Sequence, residues 1–194
     1  PYTTLFRSQN YNKTFNNHFS QLSVSTIGSE INIVKGNKFK VDYQGDNDVY
    51  VSKKGKMLKV TEKRATNRGY GLNFNPFHYN KKKLTITVPD KQLKDLSAKS
   101  VIGDVHLRNF NASSATIINS RHFSMEHSNL KYLNVDGSNS LAYICDSSVK
   151  KGNLKIDTGK LTLSRSEFQD SIFLLNEGDI NMNKMKSSNE IGRA

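Results

Sequence analysis

The stretch GKLTLSRSEFQDSIFLLNEGDINM, residues 159–182, decides the fold because its two ends carry the same five-residue pattern. In both copies the third and fifth residues are apolar, an alternation typical of a half-buried strand. Three further copies lie upstream, and the starts of successive copies are 18, 19, 19 and 19 residues apart. The five copies are GDVHL (103–107), RHFSM (121–125), SLAYI (140–144), GKLTL (159–163) and GDINM (178–182).

A repeat of about 19 residues is too short for a pair of helices and too regular for a sandwich of hairpins. It predicts an all-β solenoid in which each coil contributes two or three short strands to a shared core. Stacked coils pair as parallel strands about 4.8 Å apart, and parallel crossovers are right-handed. We therefore expect a right-handed parallel β-helix with coils of about 19 residues, regular over residues 96–188.

The first half of the chain also alternates apolar and polar residues, as in Phe39-x-Val41-x-Tyr43. This pattern predicts an N-terminal β-strand region continuous with the solenoid, although an antiparallel sandwich or barrel suits this half equally well. Residues 64–83, rich in Asn, Gly and aromatic residues, interrupt the alternation and predict a long loop.

The two ends of the chain differ from the sequence between them. PYTTLFRS (1–8) and EIGRA (190–194) resemble translations of opposite strands of one sequencing adapter. We therefore expect residues 9–189 to be the natural segment, a single β-solenoid domain and a fragment of a gene. A membrane anchor is then expected in the missing part of that gene.

Composition limits the classes of function. The formal net charge is +12, but the lysines are scattered and form no helical basic stripe, so dedicated nucleic-acid binding is not expected. The single cysteine, Cys145, excludes an internal disulfide framework and a cysteine-based zinc site.

The register of the repeats also argues against catalytic, cofactor and metal sites. Asp104 and Asp179 share a register position but lie four coils apart, roughly 19 Å at the spacing of paired strands. Paired carboxylates in glycoside hydrolases are separated by only about 5–9.5 Å. His106, His122 and His127 occupy different register positions, with no carboxylate at ligand spacing. We therefore predict no catalytic residue, cofactor or metal ion.

Two polar ladders follow from the same register. Asn119, Ser138, Asp157 and Asn176 precede successive repeats and predict a polar turn ladder, in which Asn and Asp side chains can bond backbone groups and tolerate left-handed geometry. An outward ladder contains His106, Ser124, Tyr143, Thr162 and Asn181. As ligand-binding residues we select Tyr143 and the basic and aromatic cluster Tyr79, Lys81, Lys82 and Lys83, which could meet an anionic polymer. A solvated face and a mobile loop are the alternative interpretation of these residues.

The order of these signals resembles a bacterial family labelled "putative adhesin", a domain of unknown function made of β-strand repeats. The resemblance extends over Phe19–Met185, and the chain departs from the pattern where the Gly-Asp pair is lost at 121–122, 140–141 and 159–160. The matching stretches are INIVKGNKFKVDYQG (31–45), GKMLKV (55–60), KLTITVP (83–89), LKDLSAKSVIGDVHL (93–107) and EGDINM (177–182).

The resemblance implies a non-enzymatic module on the outer side of the bacterial envelope, an adhesin or scaffold for a glycan or another extended envelope polymer. Two alternatives stay open, a carbohydrate-active β-helix enzyme and a cytoplasmic regulatory or nucleic-acid-binding protein. Terminal coils of a solenoid need caps. The last coil is therefore expected to promote edge-to-edge self-association.

Overall fold

A computed structural model of the chain describes residues 10–65, 82–90, 93–119 and 121–187. All sixteen strands join one sheet, and the described residues contain no helix, which confirms the all-β class. Among these residues, therefore, none forms a helix able to cross a bilayer. The first eight strands are β1 (Asn10–Phe15), β2 (Gln21–Thr26), β3 (Glu30–Gly36), β4 (Phe39–Gln44), β5 (Asp48–Lys54), β6 (Met57–Lys63), β7 (Lys83–Pro89) and β8 (Asp95–Ser100). The second eight are β9 (Val105–Arg108), β10 (Asn111–Asn119), β11 (His122–Glu126), β12 (Asn129–Cys145), β13 (Ser148–Ser164), β14 (Glu167–Phe168), β15 (Ile172–Asn183) and β16 (Lys186–Ser187).

The second half of the chain winds as stacked parallel strands. Parallel pairs join residues 18 or 19 positions apart, for example Asn111 with Asn129 and Asn129 with Ser148. The 17-residue strands β12 and β13 each take part in two successive faces of the stack. We call the β8–β10–β12–β13–β15 ladder the first face and the β9–β11–β12–β13–β15 ladder the second face.

The N-terminal strands continue both faces. On the first face β2 lies parallel to β8 and to β6, and on the second face β3 lies parallel to β9 and to β7. Beyond these strands the pairing becomes antiparallel, with β5 on β6, β4 on β7 and β1 on β4. The N-terminal β-strand region thus joins the same sheet as the parallel strands, and its outermost strands pair antiparallel, as the alternative interpretation of this half allowed.

Local sequence explains part of this change of direction. Gly55 has a φ of 57°, and the two-residue turn Gly55–Lys56 pairs Lys54 with Met57 in a hairpin. β3 and β4 are also only two residues apart, but β7 lies between them in the sheet. The antiparallel strands cover the open edge of the parallel stack, as a cap must.

The core lies between the two faces. Inward positions alternate with outward ones in most strands, as in β8, where every second residue is buried. Near the N-terminal end, Phe19 packs edge-to-face against Phe15 and Phe39, with ring centroids 5.9 and 5.2 Å apart.

One corner of each coil in the second half is formed by a left-handed residue, and Asp170, with a φ of 36°, is a further left-handed residue outside this corner. The backbone N–H groups of the corner residues join neighbouring coils, for example Asn109 N to Glu126 O at 3.1 Å. The four residues of the predicted turn ladder lie within strands and have no positive φ, so they form no turn: Asn119, Ser138, Asp157 and Asn176. Two of them do bond along the stack, since Asn176 Nδ2 donates to Asp157 Oδ1 at 2.6 Å. The left-handed corner residues are Asn109, His127, Asp146, Arg165 and Lys184, with φ between 48° and 52°.

A ladder of buried serines follows these corners and links successive coils. Ser147 Oγ donates to Cys145 O at 2.7 Å and accepts from Ser128 N at 3.2 Å. Ser128 and Ser166 repeat this geometry one coil to either side. Because every hydroxyl both donates and accepts, the buried polar groups at the corner are satisfied.

A buried carboxylate fixes the turn between β2 and β3. Glu62, only 3% exposed, accepts hydrogen bonds at Oε2 from the backbone N–H groups of residues 27, 28 and 29, at 2.8, 3.2 and 3.2 Å. Its Oε1 accepts from Asn47 Nδ2 at 2.8 Å and from the hydroxyls of Ser29 and Tyr43. Burial opposes ionisation, but these hydrogen bonds outweigh it and hold the pKa of Glu62 below its usual value of 4.5.

Candidate functional site

A groove runs across the coils at the corner that leads into the first face. Its volume is about 500 Å³. Its walls carry mainly amide, hydroxyl and ammonium groups, and its apolar positions are alanine and leucine. We call it the corner groove, and it is lined by Leu93, Asn111, Ala112, Ser113, Asn129, Leu130, Lys131, Ser148, Lys150 and Gln169.

One wall of the corner groove is an amide ladder formed by equivalent residues of successive coils. Asn111 pairs in register with Asn129, and Asn129 pairs with Ser148. Asn129 Nδ2 donates to Asn111 Oδ1 at 2.9 Å, and Asn111 Nδ2 donates to Asp90 Oδ1 at 3.1 Å. Asp90 in turn pairs with Lys35 at 2.8 Å. These contacts orient the amides along the stacking direction.

Lys131 and Lys150 supply the charge of the groove. They lie two residues beyond Asn129 and Ser148, so equivalent ammonium groups occur on adjacent coils, whose strands are about 4.8 Å apart. Both side chains are exposed. Within the described part of the chain, neither has a carboxylate within 4.0 Å. Two unneutralised cations beside an amide ladder form a surface suited to an anionic ligand.

Of the ligand-binding residues predicted from the sequence, the three that the structure describes do not line the corner groove. Lys82 pairs with Asp46 at 2.6 Å, and Lys83 begins β7. Tyr143 lies on β12, four strand steps from β7 and roughly 19 Å away at the spacing of paired strands. Tyr79 and Lys81, with the loop predicted between 64 and 83, fall almost entirely outside the described residues, as do the two predicted adapter segments. The described members therefore form no common site.

On the second face the register of the predicted outward ladder is present, but its member Ser124 is buried. Ser124 pairs in register with His106 and Tyr143, and Tyr143 with Thr162. The row beside it contains His122, Leu141, Lys160 and Asp179.

The expectation that the histidines form no cluster with a carboxylate is wrong for His106 and His122. Asp104 and His106 lie two residues apart on one outward side, and His122 projects from the neighbouring strand β11. One ligand atom from each of the three side chains lies within 4.8 Å of the other two. We call Asp104, His106 and His122 the histidine cluster. A comparison of equivalent positions in successive coils does not find this cluster, because its members occupy two different outward positions of the repeat.

Hydrogen bonds and burial shape the histidine cluster. His106 Nδ1 lies 2.6 Å from Ser124 Oγ, and the two imidazole rings stand edge-to-face with centroids 5.6 Å apart. Burial is the main cause that lowers the pKa of His106; His122 acts in the same direction, and the Glu30 carboxylate opposes it. The neutral imidazole is thus favoured, and it is the form that binds metals.

The one cysteine lies at a corner rather than in a reactive site. Arg165 holds Asp146 through two hydrogen bonds of 2.7 Å, and the Cys145 thiol donates to Asp146 Oδ2 at 2.8 Å. Cys145 is 5% exposed, and burial raises the pKa of its thiol. A raised pKa disfavours the nucleophilic thiolate.

Comparisons with known proteins give three similar solved structures and one matching family. A "putative cell adhesion protein" from Clostridium sporogenes is 11% identical over 94% of this chain and 100% of its own, with a TM-score of 0.48. A "putative adhesin" from Bacteroides fragilis is 13% identical over 94% of both chains, with a TM-score of 0.43. A "putative adhesin" from Parabacteroides merdae is 11% identical over 92% of this chain and 95% of its own, with a TM-score of 0.33. The search of curated proteins finds no match. The Toastrack DUF4097 family, a domain of unknown function, matches residues 19–192, and the chain therefore belongs to it.

Proposed function

We propose that this chain is a non-enzymatic module of the bacterial cell surface that binds an extended anionic glycan or envelope polymer along the corner groove. As part of this proposal, the solenoid is right-handed and its coils contain about 19 residues, the offset between paired residues of β12 and β13. The observation that carries it is the pair of polar ladders in the groove, Asn111–Asn129–Ser148 beside Lys131–Lys150.

The direction of the groove favours a polymer over a small molecule. Its lining residues come from consecutive coils, so the same donor groups recur along the stacking axis. Repeated coils present repeated binding groups, which suits an extended partner. Amide and hydroxyl groups bind sugar hydroxyls, and lysines provide ionic contacts to carboxylate or phosphate groups.

The charge of the chain supports an anionic partner. The formal net charge is +12, and Lys131 and Lys150 lie in the groove without a nearby carboxylate among the described residues. A solvent-exposed ionic contact contributes up to about 1 kcal/mol. Two such contacts at roughly 0.7 kcal/mol each correspond to about a tenfold change in affinity.

The proposal is tested by affinity gel electrophoresis at physiological salt, with polygalacturonate as the anionic polymer and dextran as the neutral one. We expect polygalacturonate to retard the wild type and dextran to have little effect. The double variant Lys131→Gln/Lys150→Gln should bind about tenfold more weakly. The matched control is Lys59→Gln/Lys155→Gln, which removes the same charge from exposed positions on the first face.

Three outcomes would overturn the proposal. Equal losses of affinity in the groove variant and the control would show that the polymer is held by diffuse electrostatic attraction and does not bind in the groove. Tighter binding to single-stranded DNA than to polygalacturonate would favour a nucleic-acid partner. Release of reducing ends from the polymer would contradict a non-enzymatic role.

A further inference from the structure

We propose that Asp104, His106 and His122 form a binding site for zinc(II) on the second face, with two imidazoles and one carboxylate as protein ligands. The site is separate from the corner groove and does not depend on the function proposed for it. It follows from how adjacent coils bring the three side chains together.

The backbone positions the three ligands on rigid elements. Asp104 directly precedes β9 and His106 lies within it, so the two side chains project to the same side. Phe123 pairs with Val105, which sets His122 beside Asp104 on the next strand. The ligand atoms lie within 4.8 Å of one another. Zinc–ligand bonds of about 2.0–2.1 Å need ligand atoms roughly 3.4 Å apart, a closure that side-chain rotation can supply.

Two further observations point to a cation. Asp104 Oδ1 is buried and accepts no hydrogen bond within the described structure. Arg121 Nε lies 3.6 Å from it, beyond hydrogen-bond distance, on a side chain that is 64% exposed. A buried acceptor without a donor is costly, so a positive charge at this point is favoured.

The hydrogen bonding of His106 matches that of a metal ligand. Ser124 Oγ contacts Nδ1 at 2.6 Å, which leaves Nε2 as the ring nitrogen available to a metal. A group bonded to the second ring nitrogen orients a histidine ligand and sets its tautomer. Ser124 is buried, so this contact is held by the packing of β11.

The donor set selects the kind of metal. Imidazole nitrogen suits zinc, copper, nickel and iron, whereas calcium and magnesium take oxygen ligands. Zinc with three protein ligands keeps a further position open to water or to a group from a partner. A surface zinc ion with an open position could bind a carboxylate or phosphate of a partner molecule.

The test is titration of the untagged, chelator-treated full chain with zinc chloride by calorimetry, and with cobalt(II) by absorption spectroscopy. We expect one zinc per chain, and cobalt bands typical of a nitrogen and oxygen site. His122→Gln and Asp104→Asn should each weaken zinc binding at least about tenfold. His18→Gln removes an exposed histidine outside the cluster and should leave binding unchanged.

The variant Arg121→Gln tests whether the histidine cluster binds zinc or only supports the fold. Removing the competing guanidinium should strengthen zinc binding by about two- to fivefold, the weight of an exposed ion pair. Far-UV circular dichroism of each variant shows whether it folds, and the wild-type imidazole NMR signals provide a reading that needs no variant. The proposal is overturned if zinc leaves the ring signals of His106 and His122 unmoved, or if His18→Gln weakens binding as much as His122→Gln.

Discussion

Replacing Glu62 with glutamine tests whether the buried carboxylate holds the N-terminal strands onto the solenoid. Oε2 accepts three backbone N–H groups, and Oε1 accepts from Ser29, Tyr43 and Asn47. Glutamine is nearly isosteric, but its amide group turns a donor toward these donors. Hydrogen bonds to a charged group contribute about 1.5–3 kcal/mol, and an unsatisfied buried group costs about 1–3 kcal/mol.

We expect Glu62→Gln to lower the free energy of unfolding by about 3–5 kcal/mol at pH 7, since one charged acceptor is lost and one buried donor is left unpaired. The measurement is urea unfolding followed by far-UV circular dichroism, because the chain has no tryptophan. The control Glu177→Gln makes the same chemical change at an exposed position on β15 and should change stability by less than about 0.5 kcal/mol.

The pH dependence provides a second check. The pKa of Glu62 is lower in the folded chain than its usual value of 4.5. The stability that ionised Glu62 contributes is therefore complete above pH 4.5 and declines as the pH falls through the pKa of the folded chain. The difference in unfolding free energy between the wild type and Glu62→Gln should therefore become smaller below about pH 4.5. A loss under about 1 kcal/mol at pH 7, or a gap that stays constant in acid, would refute the role assigned to this carboxylate.

Three further predictions concern packing, reactivity and association. Gly159→Ala should lower the free energy of unfolding in urea by more than about 3 kcal/mol, because the added Cβ would overlap Ser140 O at a φ of 148°. The control Gly55→Ala, whose Cβ would have no atom within 4 Å, should lower it by about 1 kcal/mol. Cys145 should react with a disulfide reagent at least about tenfold more slowly in buffer than in urea, because burial raises its pKa; equal rates would contradict its burial. The chain should associate in sedimentation velocity through the outer edge of β15, which pairs only with β13 among the described strands; a monomer at every concentration would contradict this.

The repeat predicted the parallel part of the fold because the residues that face the core must be apolar in every coil. Leu161 and Leu163 recur in register with Ala142 and Ile144, and all four are buried. Antiparallel pairing in the first half was one of two open alternatives, but the position of β7 between β3 and β4 was not predicted, because β7 comes from far along the chain. The residues between β3 and β4 give no sign that another strand lies between these two in the sheet.

One feature missed from the sequence carried a weak signal. Glu62 continues the inward series Leu58-x-Val60, and a carboxylate at an inward position implies a buried partner for it. The left-handed corners carried no such signal, because Asn109, His127 and Arg165 share a backbone conformation but no side-chain type.

By itself, the sequence determined that the chain is all-β, that its second half repeats, and which residues face the core. These follow from alternation and period, which are local properties of strands. Only the tertiary structure decided which outward residues meet. The corner groove and the histidine cluster each combine side chains from neighbouring coils in different register columns. Their contacts depend on how coils bend and stack, and outward positions are not constrained by the core.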